Sequence, residues 1–455
     1  MSSQQNQLDY ISRYLIYKLL KYFGPDAALI SQRIESSNGL DGFMSALYTV
    51  QLDMKVNGND KQETMLVKFM KGSPEFRKDS KSYIQFANEV LVYAELLPAY
   101  EHLLRSSNLN TDLVEGFVPR CYFAQFGQIE GMGEANESVL ALQHLKPAGY
   151  ELGPRLTLRR DQLEAMCNVL GPYHALGYAT RILQPQVHER LKNSIKELPF
   201  VYPSGTTNLY EALYRVAFDR FYEYYDRQRA QLQPEEDFAA AVERLRAKYF
   251  AQPEHILEGV RINASGDKFS TFLHGDFNRN NVLFHEDAAG RVDNIKMIDF
   301  QELRYGTTAI DISFFLYINT AAAEREQLFP RLLQLYYKRM YEQLELLLQR
   351  NTPKLLDEEQ LQVELEHYSF QRFEEHFKKY AFYGVMICMH FLPWLLGTEE
   401  DCERLSKLFE QDMYGAEFHQ LSMQIAGDEA NVQIYNIMHH AFKQGYMDAV
   451  FGFQV

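Results

Sequence analysis

Two carboxylates and one carboxamide stand at the ends of short apolar runs in the second half of the chain. The run TFLHGDFNRNNVLF, from Thr271 to Phe284, carries Asp276 and, five residues later, Asn281; IDFQ, from Ile298 to Gln301, supplies Asp299 eighteen positions beyond Asn281. An apolar strand thus runs into a tight polar turn. A short hairpin (Val282–Phe284, a turn near Asp287–Gly290, then Ile295–Ile298) returns the chain to deliver the second Asp. Phosphoryl transfer asks for little more. One carboxylate orients an attacking hydroxyl and accepts its proton, while a carboxamide oxygen and a second carboxylate hold the Mg²⁺ that bridges the phosphates. Asp276 fits the first role, and Asn281 and Asp299 fit the second. Asp and Asn are also ordinary turn residues, and HGD alone is a weak signal. The Asp-to-Asn spacing, the two apolar strands and the second Asp opening Asp-Phe-Gln form a much more specific set.

An upstream region supplies what such a site lacks. Lys68 interrupts the apolar strand Leu66-Val67-Lys68-Phe69, which has no use for an ammonium unless it meets an anion. The functional reading is a Lys that touches α/β-phosphates and is held by Glu89 of the following helix; the plain alternative is an edge Lys facing solvent. Gly39, Gly42 and Ser45 precede the first strand, where small residues and backbone N–H groups can lie over phosphates, although an ordinary turn has the same composition. His274 reads as a structural anchor of the loop, since Asp276 already fills the role of base.

The elements that must position these groups follow from periodicity. Leu8, Ile11, Leu15, Leu19 and Leu20 recur at helical spacing, so residues 8–36 read as an opening helix pair. Phe43 to Met54 alternates, Asn57-Gly58-Asn59-Asp60 turns, and Thr64–Phe69 returns, which is a hairpin. Tyr83–Leu97 reads as a helix with Phe86, Val90 and Tyr93 on one face and Pro98 ending it. Strands are expected at Arg120–Phe126 and Ser138–Leu145. From about Asp161 the chain is mostly helical. The division expected is a β-rich unit at 1–145 and a mostly helical unit at 146–455.

Gly39–Val50, Lys68, the Phe86-x-x-Glu89-x-x-x-Tyr93 helix, HGDxxxxN, DFQ and Phe373–Leu396 together resemble the ecdysteroid kinase-like family, which carries a choline-kinase-like domain and belongs with the aminoglycoside phosphotransferases. The likeness spans roughly residues 30 to 425. It implies an α+β, protein-kinase-like two-lobed fold, with a small β-rich N-lobe, a large helical C-lobe and ATP bound between them. It implies Asp276 as catalytic base, Asn281 and Asp299 as magnesium ligands, Lys68 with Glu89 as the phosphate-positioning pair, and a lipophilic alcohol such as an ecdysteroid as acceptor. It also implies that Asp311 braces the loop through backbone N–H groups. The chain departs from the family at two places. A Trp common two residues after the base is Asn278 here, beside the acceptor hydroxyl. An acidic pair before the hinge Leu is Gln143-His144, which touches on adenine contacts. A choline- or aminoglycoside-type acceptor and an inactive kinase-like binding module are the competing readings. The presence of all five polar groups speaks against the latter.

Composition sets the bounds. A formal net charge of −15 argues against a chain-wide nucleic-acid or anionic-membrane binder. Cys121, Cys167, Cys388 and Cys402 show no CxxC spacing, and the polar first residues lack a secretory apolar run, so a reducing, cytoplasmic setting is expected. Phe382–Leu396, the most apolar stretch, is shorter than the roughly 20 residues that span a bilayer and reads as a buried helix ending near Pro393; no membrane insertion is expected. The thirteen histidines form no compact ligand set such as HExxH, and His174, on an apolar helix face, reads as a buried, hydrogen-bonded core residue. The Tyr and Phe clusters at 218–225 and 368–391 read first as core packing, with some members expected to line an apolar acceptor pocket.

Overall fold

Five antiparallel strands form the larger sheet of the first unit in the computed structural model, which describes residues 3–36, 45–352 and 354–455. In chain order they are β1 (Ala28–Ser36), β2 (Ser45–Val56), β3 (Asn59–Met70), β4 (Cys121–Gly127) and β5 (Glu137–Gln143), and in space they run β1-β2-β3-β5-β4. The β2–β3 hairpin closes through Asn57 and Gly58, both at positive φ (53° and 80°). That is the backbone a tight hairpin turn demands and Asn-Gly tolerates.

Side-chain alternation then decides what each face does. Met65, Val67 and Phe69 of β3 point into a core shared with Val50, Leu52, Val139 and Ala141, covered by Ile11, Leu15, Ile16 and Leu19 of the opening helix. Burying each of these side chains larger than alanine is worth about 1.5–3 kcal/mol. Lys68, one residue out of phase, is thereby carried to the opposite face.

Two expectations need correction. The opening helix spans Ser3–Phe23, with a π turn at Ile11–Leu15, but its expected partner is strand β1. As an edge strand β1 is mostly solvent-exposed, so its sequence shows little alternation. Pro98 does not end its helix either. Ser82–Leu91 passes into a π turn at Val92–Leu96 and continues as Leu97–Ser106. The wider turn, in which the Leu97 N–H reaches back to the Val92 carbonyl, accommodates the N–H that proline lacks.

The first unit comprises Met1–Glu151, Asn193–Lys196 and Leu283–Leu303, and the second comprises Leu152–Lys192, Glu197–Val282 and Arg304–Val455. A single cut at residue 145 therefore does not describe the chain, because two later segments return to the sheet-bearing unit. The Asn88 carboxamide secures them. Its Nδ2 donates to the Lys196 carbonyl (2.7 Å) and, more distantly, to that of Leu303 (3.5 Å), while its Oδ1 accepts the Lys196 N–H (2.9 Å).

The second unit is helical apart from a short antiparallel pair, Ser270–Leu273 with Arg304–Thr307. Its helices approach closely where glycine permits. A Cβ on Gly171 of Arg160–Leu183 would fall 2.8 Å from the Met340 nitrogen and the Tyr336 oxygen, and one on Gly384 would fall 2.4 Å from the Ser313 carbonyl carbon. Phe382–Leu396 is the buried helix expected, running three residues past Pro393. Among the described residues no helix is long and apolar enough to cross a membrane. The aromatic clusters are chiefly core: Phe218, Tyr225, Tyr368, Phe373 and Phe377 are all buried.

Candidate active site

On the free face of β3, the Lys68 ammonium meets two carboxylates from distant parts of the first unit. Nζ lies 2.8 Å from Glu89 Oε2 and 2.6 Å from Asp299 Oδ1. Three elements converge to do this: β3, the Ser82–Leu91 helix, and the turn after the Val292–Met297 strand. Lys68 is 9% exposed and Glu89 2%, while the Asp299 side chain keeps 30% of its surface. Phe86 adds its ring face 5.2 Å from Nζ.

One ammonium faces two carboxylates, so the cluster carries an excess negative charge in a poorly solvated place. Burial tends to lower the Lys68 pKa, but the Asp299 and Glu89 charges outweigh it and hold the amine well above its ordinary value. Glu89 takes the strain. Burial pushes its carboxyl up to about 7, against the pull of Lys68 and with a further push from Asp299. Glu89 also accepts the Phe300 backbone N–H, which ties the helix to the residue after Asp299. Asp299 itself sits in the left-handed region at φ 64°, where Asp and Asn are the non-glycine residues best tolerated. Phe300 packs edge-on against Tyr93 (5.9 Å) from the π turn.

The second unit holds the other group of residues within one loop. Asp276 is half-buried, and both of its carboxylate oxygens are occupied: Asn281 Nδ2 donates to Oδ2 and Asn278 Nδ2 to Oδ1, each at 2.7 Å. Asp311 lies behind the loop, 1% exposed. Its Oδ1 accepts the Gly275 N–H and its Oδ2 the His274 N–H, both at 2.8 Å. His174 Nε2 lies 3.1 Å from the same Oδ2, and its Nδ1 lies 2.8 Å from the Tyr336 hydroxyl. His174 is thus a buried, hydrogen-bonded core residue that also holds the brace. His274 is fully buried, edge-on to Phe277 at 5.7 Å.

Arg279 anchors the loop from below. Nε donates to Asn319 Oδ1 (2.9 Å), and its terminal nitrogens donate to the Arg155 and Ile318 carbonyls (2.7 and 3.0 Å). Sequence reading missed Arg279, and it noted Asn278 only as a departure from the family's Trp, not as a partner of Asp276. Asn278 was legible as a cap, since Asn two residues before a residue that opens a turn commonly accepts that residue's N–H.

Of the remaining candidates, Gly39 and Gly42 lie outside the described residues. Ser45 is the first residue of β2, paired with Met70. Gln143 ends β5, its N–H donating to the Arg120 carbonyl, and the His144 N–H reaches the Thr64 carbonyl.

Each unit, taken by itself, holds one side-chain oxygen of the hard kind that Mg²⁺ prefers. Asn281 turns its Nδ2 to Asp276, and among the described residues no donor reaches its Oδ1 or Asp299 Oδ2. Each therefore offers a hard oxygen. No group of three or more His, Cys, Asp or Glu among the described residues could hold a metal by itself.

A small antiparallel sheet bearing a buried Lys–Glu pair, joined in sequence to a large helical unit with an Asp–Asn loop braced on a buried Asp, is the fold of a kinase-like phosphotransferase. The family model for the ecdysteroid kinase-like family matches residues 39–349, and the chain belongs to that family. A search of curated proteins finds no match.

Proposed function

We propose that this protein transfers the γ-phosphoryl group of ATP to a hydroxyl of a small molecule, an ecdysteroid or another lipophilic alcohol. The observation that carries the reading is the Lys68 cluster. An ammonium buried on a sheet strand, gripped by carboxylates 21 and 231 positions away, is an arrangement for a polyanionic ligand rather than for the stability of a sheet.

In this reading Lys68 engages the nucleotide phosphates and Glu89 keeps its Nζ in place. Asn281 and Asp299 hold Mg²⁺, which when bound neutralises charge on the phosphate oxygens. Asp276 takes the acceptor hydroxyl's proton as that oxygen forms its bond to phosphorus. The bond from phosphorus to the departing ADP breaks with its electron pair, so charge and protons balance. Asp311 and Arg279 keep the loop from yielding while this happens.

A lipophilic acceptor is what the description of the family suggests. A cavity in the second unit beside Leu213, Arg220, Met389, His390, Trp394 and Ser422 mixes apolar and polar walls and, at about 10 Å³, admits a water rather than an acceptor. Arg155 links this wall to the loop: its guanidinium binds the Trp394 and Gly397 carbonyls, and its own carbonyl takes Arg279. The four cysteines are free thiols, which suits a reducing compartment such as the cytoplasm.

The test is a screen of lipophilic alcohols for ATP-dependent gain of a phosphate by mass spectrometry. It is paired with the Mg²⁺-dependent thermal shift that ATP produces. Asp276→Asn should abolish turnover and keep the thermal shift. Full turnover in that variant, or ATP binding with no turnover on any acceptor, would refute the assignment.

A further inference from the structure

The helix Leu209–Leu232 buries a guanidinium that pairs with no carboxylate. Arg220 is 2% exposed. Its Nε donates to Asn431 Oδ1 (2.7 Å), and its terminal nitrogens donate to the Ser422 and Gly427 carbonyls (2.9 and 2.8 Å). Among the described residues no Asp or Glu forms an ion pair with it. Asp428 is reached only through the Asn431 amide, and it is already bound by Arg227 at 2.5 Å. Burial pulls the Arg220 pKa down to about 10, more than the distant Asp428 and Glu223 restore. The buried charge is left under-compensated.

A cavity of about 10 Å³ opens beside this group, and its walls include Leu213, His390, Trp394, Phe418 and Ser422 with Arg220 itself. No Asp or Glu lines it. The polar side chains there offer chiefly donors. A guanidinium has five N–H groups and accepts nothing, so the three bonds above leave Arg220 with N–H groups to give. Ser422 Oγ is buried with no hydrogen-bond partner among the described residues. His390 makes ring contacts with Tyr214, Phe391 and Trp394, and burial pushes its pKa down to about 4, which leaves a neutral ring with one N–H. The Trp394 indole is a donor only.

Donors gathered about an unpaired cation call for an anion, and the volume restricts which one. The space suits a single water-sized particle, and chloride exceeds water in radius by only a few tenths of an ångström. Phosphate, sulfate and carboxylates are too large. We propose that this cavity is a halide site, taken by chloride and held by the Arg220 guanidinium and the Ser422 hydroxyl. The ion ties Leu209–Leu232 to Ala416–Gln424 against the end of Phe382–Leu396. These helices pack the satellite cluster of Val216, Leu405, Phe418 and Ile425, to which Leu213 and Trp394 add. A ligand bound only by the folded chain raises its stability with concentration. Water is the rival occupant, and it leaves the charge as it is.

The full-length protein is melted in sodium chloride and in sodium gluconate at equal ionic strength, so that screening is the same in both. The midpoint should be higher by about 1–3 °C in about 200 mM chloride, and it should climb with the logarithm of chloride concentration. Trp394, the only tryptophan of the chain, reports on the site directly. Bromide should quench its emission to a plateau, and chloride should reverse that quenching. In Ser422→Ala about tenfold more halide should be needed for both effects. Arg220→Gln should abolish them; if that variant does not fold, Ser422→Ala decides.

Equal midpoints in chloride and gluconate, or bromide quenching that grows linearly with no plateau, overturn the proposal and assign the cavity to water. A plateau that Ser422→Ala leaves unchanged overturns it too, because the ion then sits elsewhere. In crystals soaked in sodium bromide, an anomalous peak between Arg220 and Ser422 supports the site, and a peak at the surface alone refutes it. None of these readouts depends on phosphoryl transfer.

Discussion

Lys68 Nζ and Asp299 Oδ1 lie 2.6 Å apart although 231 residues separate them in the chain. With Glu89 on its other side, Lys68 is the only cation bonded to either carboxylate among the described residues. Replacing it strands two negative charges. Lys68→Met should destabilise the fold by about 3–5 kcal/mol, the cost of breaking a buried pair from one side. Adding Glu89→Gln should recover part of that loss, about 1–3 kcal/mol, because the amide needs no counter-charge. Urea titration of the single and double variants measures both. A double variant no more stable than Lys68→Met would show that the pair is not energetically coupled.

The raised Glu89 carboxyl makes stability depend on pH. Its folded value, about 7, lies above the ordinary carboxylate value of 4.5, so over that window the native protein binds a proton that the unfolded chain releases. Stability from this group is full below about pH 4.5 and is lost as pH rises through about 7. Urea midpoints at pH 5.5 and pH 8 should therefore differ less in Glu89→Gln than in the unmodified protein. An equal difference in the two proteins would count against a protonated Glu89.

His188 works in the opposite direction. It is 1% exposed and lies between the rings of Phe272 and Tyr305 (5.3 Å each); among the described residues neither ring nitrogen makes a hydrogen bond, although Glu189 Oε1 lies 3.4 Å from Nδ1. Burial first, then Arg181, pushes its pKa down to about 4. Its stabilising effect is full above the ordinary value of about 6.5 and is lost as pH falls toward 4. His188→Phe should gain about 1–3 kcal/mol by removing unsatisfied nitrogens and should flatten the acid side of the stability profile. A variant that melts below the unmodified protein at pH 5 would contradict this.

Asp311 supports the loop through backbone groups, so even a close replacement should fail. In Asp311→Asn only one acceptor oxygen remains for the His274 and Gly275 N–H groups and His174. Each donor left buried and unpaired costs about 1–3 kcal/mol. Thermal melting should show that loss, and turnover should fall by about a hundredfold or more as the Asp276 loop loosens. Near-normal kcat in Asp311→Asn would mean that the brace is dispensable.

If Asn281 supplies an oxygen to Mg²⁺, Asn281→Ala should raise the Mg²⁺ concentration needed for the ATP-dependent thermal shift by about tenfold or more. The melting temperature without nucleotide should change little by comparison. An unchanged Mg²⁺ requirement would remove Asn281 from the set of ligands.

Much of this was legible because local chemistry and long-range structure agreed. Asn57-Gly58 between alternating runs announces its hairpin, and the out-of-phase Lys68 announces an anion on the far face of β3. The spacing from Asp276 to Asn281 matches a loop short enough for their side chains to touch. What escaped reading depended on tertiary context. The β1 strand is an edge with few buried positions, so nothing forced its alternation. The π turn before Pro98 rescued a helix that the local rule ends. The grip of Asn278 on Asp276 exists only once the turn has formed, and the capture of residues 193–196 by Asn88 leaves no periodic trace at all.

The discontinuous first unit has a consequence for how the protein is made. When only residues up to 151 have left the ribosome, the sheet strands are complete, but Lys68 has one carboxylate and Asn88 has neither of its backbone partners. The missing pieces arrive with residues 193–196 and 283–303. The nascent N-terminal segment must therefore wait, with Lys68 and Glu89 as a lone pair and Asn88 without its backbone partners, through the synthesis of some 150 further residues. Fragments that stop short of residue 303 are the ones that chaperones and proteases should seize.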